Sequence, residues 1–135
     1  RREGYENALN ERGLTVDRDL IVEGDFTEKG GYFAAQKLLQ HDADAVFVAS
    51  DTMAFGALRA LREAGVAVPD DVTVIGFDDL PTATIADPPL TTVRQPIRRF
   101  GMQLVESLLD IIENGNDPPR RVIFDTELVI RESSA

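Results

Sequence analysis

Residues 45–96 read AVFVASDTMAFGALRALREAGVAVPDDVTVIGFDDLPTATIADPPLTTVRQP, and this stretch decides the fold. An apolar run of strand length stops at Ser50-Asp51. An amphipathic helix follows, with Met53, Ala57, Leu58, Leu61 and Ala64 on one arc, and Gly65 stands where a left-handed stop is wanted. Pro69-Asp70-Asp71 makes a turn, and a second apolar run over residues 72–76 opens into Gly76-Phe77-Asp78-Asp79. Polar groups therefore lie just beyond the carboxyl ends of two strands, the place where open parallel sheets bind small ligands.

The same alternation extends outward. Residues 1–12 predict a helix with Tyr5, Ala8 and Leu9 on one face, ended by Gly13. Residues 19–26 predict a short strand from the Leu20-Ile21-Val22 run, and Thr27 is placed to cap a helix whose apolar face is Gly31, Ala35, Leu38 and Leu39. Residues 90–95 are extended. Residues 97–114 predict the strongest helix, with Ile97, Gly101, Leu104, Val105, Leu108, Ile111 and Ile112 sharing a face and Gly115 ending it. A loop over 116–119 leads to residues 122–130, which alternate like an edge strand or hairpin. The expected class is α/β, a parallel sheet flanked by helices on both faces. The chain starts on a helix where such folds start on a strand, so a fragment of a longer protein is expected.

Composition narrows the function. At 135 residues, 43% hydrophobic and 28% charged, the chain is one ordinary globular domain. The net charge of −10 and the lack of a Lys/Arg cluster disfavour direct contact with nucleic acid. Cysteine is absent, which excludes disulfides and thiolate metal sites and fits a reducing, cytoplasmic setting. No apolar run reaches membrane-spanning length, so no membrane partner is expected.

Val48 to Leu58, Val68 to Asp79 and Leu90 to Pro96 together resemble the LacI/GalR family of bacterial transcription regulators. Residues 1–9, Gly24-Asp25-Phe26 and residues 128–133 match in the same order, so the resemblance covers nearly the whole chain. It implies a type I periplasmic-binding-protein-like core: two α/β lobes, three crossings and an effector in the cleft. On that reading residues 1–90 are the C-terminal lobe, 91–121 the third crossing with part of the N-terminal lobe, and 122–135 a return strand. The orphaned helix over 97–114 should then be buried in a neighbouring subunit or fold back on its own chain. Operator DNA would be bound only through a helix-turn-helix head that these residues lack.

The resemblance and the strand-end pattern single out the same residues. Asp78 matches a family effector contact, and a carboxylate accepts two donors at once. Asp79 points the opposite way and reads as structural. Ser50 stands where the family has a polar contact, often Asn. Asp51 is a candidate contact but is also placed to cap the helix. Phe26 matches an aromatic that stacks on the effector, and the apolar faces of sugars suit such a platform. Arg1 matches an arginine that reaches the effector, its guanidinium forking onto two acceptors. Phe55 falls outside the buried arc, near Arg59 and Arg62; the resemblance implies a two-fold homodimer seam here, with Phe55, Leu58 and Arg59 as contacts.

The remaining motifs are plain. His41 reads as a solvated helix end, Asp42 and Asp44 lack the further ligands of a calcium loop, and no phosphate loop, nucleophile elbow or zinc motif occurs. No metal or cofactor is expected, and an enzyme would need an acid, base or nucleophile set that the chain does not offer. The expected function is the sensing and dimerisation part of a regulator that binds a small effector, a sugar or nucleoside. A solute-binding protein for sugar uptake is the alternative.

Overall fold

The computed structural model describes residues 1–115 and 121–135. The loop expected over 116–119 lies outside the described residues. In chain order the elements are α1 (Arg2–Glu11), α2 (Glu28–Leu38), β1 (Ala45–Phe47), α3 (Asp51–Glu63), β2 (Thr73–Asp78), a short 3-10 segment (Pro81–Ile85), β3 (Thr91–Arg94), α4 (Ile97–Asn114) and β4 (Glu127–Val129).

The strands form one sheet in the order β1-β2-β3-β4. β1, β2 and β3 run parallel, with Val46 opposite Val74 and Gly76 opposite Thr92. β4 is antiparallel to β3, so the sheet is mixed rather than purely parallel. β4 is also shorter than the alternation over 122–130 predicts. β3 stops at Arg94, opposite Glu127, and turns through Gln95-Pro96 into α4, so residues before Glu127 have no strand to pair with.

The expected strand over 19–26 does not form. The segment opens on a turn at residues 19–20 and joins no ladder. A local turn competes for its backbone, with the Asp19 amide bonded to the Asp17 carboxylate and the Ile21 amide to the Arg18 carbonyl. Leu20, Ile21 and Val22 instead line a cavity of about 230 Å3 beside β1.

Val74, Ala54, Ala57, Leu61 and Leu90 form the centre of the core, all 3% exposed or less. α2 lies on α3, and α3 on β2. The two helices approach closely because each offers a glycine to the other. A Cβ on Gly31 would stand 2.0 Å from the Met53 carbonyl oxygen, and one on Gly56 would stand 1.9 Å from the Glu28 carbonyl oxygen. α3 ends as expected, with Gly65 at φ +75 and the Val66 amide reaching back to the Leu61 carbonyl.

The far end of the chain is stitched into the middle of the sheet. Ser133, fully buried, donates its hydroxyl to the Val74 carbonyl (2.6 Å) and accepts from the Thr91 amide (2.8 Å). Its own carbonyl receives the Val74 amide at 2.9 Å.

α4 does not fold back on the chain. None of its residues is buried, and Ile97, Leu104, Val105, Leu108 and Ile112 are each more than half exposed. Its apolar stripe is real, but the described elements offer it no matching face. Phe100 makes an edge contact with Phe124 at 5.9 Å.

Gly56→Ala should lower the stability of the chain by about 2 kcal/mol, since the new methyl meets backbone rather than a movable side chain. Gly101→Ala on α4, where a Cβ meets open space, is the control and should be neutral or stabilising. Urea denaturation of both variants distinguishes the two positions.

Candidate functional site

Three of the expected residues come together where β1 and β2 end. β2 carries Asp78 at its last position, and Arg1, the residue before α1, lies alongside. The Arg1 guanidinium lies 3.2 Å from Asp78 Oδ1 and also donates to the Ala49 carbonyl. Its plane covers Phe77 at 4.0 Å from the ring centroid, and Phe26 stands 5.9 Å away. A guanidinium between two aromatic faces and a carboxylate is held in orientation as well as in place. Phe26 is 60% exposed, a large aromatic left open to solvent at this mouth.

Gln95 belongs to the same cluster and was not predicted. Its amide donates to Asp78 Oδ1 at 2.6 Å. No local sequence signal marks it: the parallel register sets Asp78 opposite Arg94 and so brings the residue after β3 within reach. Asp78 Oδ1 thus takes Arg1 and Gln95 together. Phe77 was also missed, because strand alternation alone does not mark it as a platform for Arg1.

The backbone here is strained. Phe26 (φ 62), Asp78 (φ 120) and Asp79 (φ 55) are the non-glycine residues with positive φ among those described, and all three lie at this mouth. Each such residue costs of order 1–3 kcal/mol and persists only where its surroundings insist.

Ser50 and Asp51 lie beneath the mouth rather than in it. The helix cap expected of Asp51 belongs to Ser50, whose hydroxyl accepts from the Met53 amide at 3.3 Å. Ser50 adopts the extended conformation that a cap needs, while Asp51 already opens the helix. Asp51 is fully buried, and both of its oxygens are taken. Oδ1 accepts from the Thr92 hydroxyl at 2.6 Å and Oδ2 from the Leu80 amide at 2.8 Å.

Asp79 is structural. Arg131 reaches its Oδ1 and Arg94 its Oδ2, both at 2.6 Å, and Arg94 continues to Glu127 at 3.1 Å. Burial pushes the Asp79 carboxyl up, but the bonds from Arg131 and Arg94 outweigh it and hold the group below the usual carboxylate range. Asp51 is shifted the other way: burial raises it against the bonds from Thr92 and Leu80, and Asp78 and Asp79 add repulsion. The two carboxyls therefore pull stability in opposite directions with pH. Asp79 contributes above its unfolded value of about 3.9 and loses that contribution as pH falls below it, whereas Asp51 costs stability as pH rises past the same value.

The expected dimer contacts have partners within the chain. Leu58 is 5% exposed and belongs to the core, so it is no surface contact. Phe55 is half-buried against the same core, not on the wet side of α3, because the helix buries most of its circumference between α2 and the sheet. Arg59 pairs with Glu28 at 2.9 Å and lies over the Tyr32 ring at 4.6 Å. His41 is exposed at the end of α2. Among the described residues no cluster of His, Cys, Asp or Glu could hold a metal ion.

Residues 1–134 match the model of the periplasmic binding protein-like domain. The chain belongs to that family. It is 43% identical over 135 residues to the HTH-type transcriptional regulator CelR of Thermobifida fusca, covering 98% of this chain and 40% of that protein. A solved CelR–cellobiose complex superimposes with a TM-score of 0.93 at 42% identity, over 98% of this chain and 41% of that one. A LacI family regulator from Enterococcus faecium with bound ribose superimposes with a TM-score of 0.88 at 32% identity, over 98% of this chain and 50% of that one. The chain thus spans about two fifths of the curated relatives it matches, and those relatives are transcriptional regulators.

Asp79→Asn should lower stability at neutral pH by about 2 kcal/mol, because two guanidinium groups lose their charged acceptor. The gap from wild type should shrink below about pH 4, where the unfolded wild-type chain takes up a proton that the folded carboxyl accepts only at lower pH. Urea midpoints across that range test both statements.

Proposed function

We propose that this chain is the ligand-sensing part of a LacI-type transcription regulator, with Arg1, Phe26, Asp78 and Gln95 forming half of the mouth that grips a small sugar. The observation that carries the reading is the convergence of a guanidinium, a carboxylate, an amide and an exposed aromatic ring on one strand end. Such a set offers donors and acceptors to hydroxyl groups and an apolar platform to a sugar ring, with no group poised for bond cleavage. Arg1 and Asp78 balance each other's charge, which suits a neutral ligand. The sugars bound by the CelR and Enterococcus faecium relatives support the class. Regulators as relatives favour sensing over solute uptake or catalysis.

The rest of the regulator follows on this reading. α4 with its open apolar stripe belongs to the opposite lobe, and residues 91–96 are the crossing between lobes. The effector changes the closure of the lobes by binding one state better than the other. Operator DNA is bound by a helix-turn-helix segment outside these residues, in the cytoplasm. Arg59 and the part of Phe55 that the core leaves open contribute to a two-fold dimer seam.

Calorimetric titration of the full-length protein with cellobiose and ribose tests the site. At least one should bind, and Asp78→Ala should weaken it about tenfold or more through loss of a charged acceptor. An unchanged affinity removes Asp78 from the site. Sedimentation tests the seam: Phe55→Asp should shift the full-length protein from dimer toward monomer, and a dimer that persists at micromolar concentration rejects this placement.

A further inference from the structure

We propose that Thr92 and Asp51 are positioning residues for Asp78, a buried pair that holds the turn after β2 so that the Asp78 carboxylate stands in the mouth beside Arg1. The inference rests on the sensing role given to Asp78 and adds what aims it. The Thr92 hydroxyl donates to Asp51 Oδ1 at 2.6 Å and receives the Asp79 amide at 3.4 Å. Asp51 Oδ2 receives the next amide, that of Leu80, at 2.8 Å. One buried pair thus catches two consecutive backbone N–H groups immediately after Asp78.

Those two bonds fall where the chain needs holding. Asp78 and Asp79 have φ of 120 and 55, a conformation that L-residues leave when nothing restrains them. Both Thr92 and Asp51 are 0% exposed, so neither touches a ligand in the mouth. Their influence passes through the turn. Gly76 makes the arrangement possible, since a Cβ there would stand 2.4 Å from Asp51 Oδ1. The side chain of Asp79, clamped by Arg94 and Arg131, fixes the other side of the turn. Asp78 alone keeps its carboxylate toward Arg1 and Gln95.

Thr92→Val in the full-length protein keeps the shape and removes the hydroxyl. Its affinity for cellobiose or ribose, whichever the wild type binds, should fall about tenfold. Thr92→Ser should restore most of it. The double variant with Asp78→Ala should bind no more weakly than Asp78→Ala alone, a non-additivity that a general loss of stability would not produce. A crystal structure of Thr92→Val should show the Asp78 carboxylate withdrawn from Gln95 Nε2. Wild-type affinity with Asp78 in place, or losses that add, overturns the inference. If the wild type binds neither sugar, the sensing role is what fails, and the crystal structure alone decides: an unmoved Asp78 rejects the positioning role. If Thr92→Val does not fold, Asp51→Asn is read by the same measurements.

Discussion

A carboxylate sealed from water organises the end of the sheet where β2 gives way to its loop. Asp51 sits at the first turn of α3, where the helix dipole favours negative charge, and it spends both oxygens on groups that belong to other elements. Thr92 comes from β3 and Leu80 from the loop after β2. One side chain therefore joins a helix, a strand and a loop that are far apart in sequence. Burying it carries a desolvation cost, which its donors offset only in part, and the upward shift of its carboxyl is the sign of that balance. The absence of a side chain at Gly76 lets the carboxylate come that close to β2.

Around this centre charge is handled in layers. Asp79 meets two guanidinium groups and is the more comfortable carboxylate, while Asp78 meets one guanidinium and one amide and remains partly open. Three acidic groups so near one another would repel if left bare. Arg1, Arg94, Arg131, Gln95 and Thr92 separate them, and each carboxylate has its own donors. The mouth is consequently polar without carrying a large net charge.

Much of this was legible in the residues. The periodic helices, Thr27 as a cap and Gly65 as a stop, and two strands that end before Ser50 and at Asp78 all follow from local chemistry. Arg1, Phe26 and Asp78 were named before their contacts were known, and they share one cluster. The losses have physical causes. Residues 19–26 carry a strand's composition, but the turn that begins at Asp17 takes the Asp19 and Ile21 amides and the segment joins no ladder. The capping of α3 shifted by one residue because Ser50 and Asp51 are both good caps, and only the three-dimensional demand of Thr92 and Leu80 decides which is free for it. Gln95 and Thr92 were invisible because their importance arises from parallel register, a non-local quantity. Leu58 is core rather than surface, and Phe55 less exposed than expected, because α3 is enclosed on more sides than an amphipathic arc implies.

Ser133 adds a constraint in time. It completes bonds to Val74, 59 residues earlier, and to Thr91, 42 residues earlier. A nascent chain emerging from the ribosome can wind α2 and α3 and lay them together as soon as they appear, but the centre of the sheet stays unfinished until residue 133 is clear of the exit tunnel. The centre of the sheet therefore closes only after residue 133 has been made, and until then Val74 and Thr91 lack their last partner.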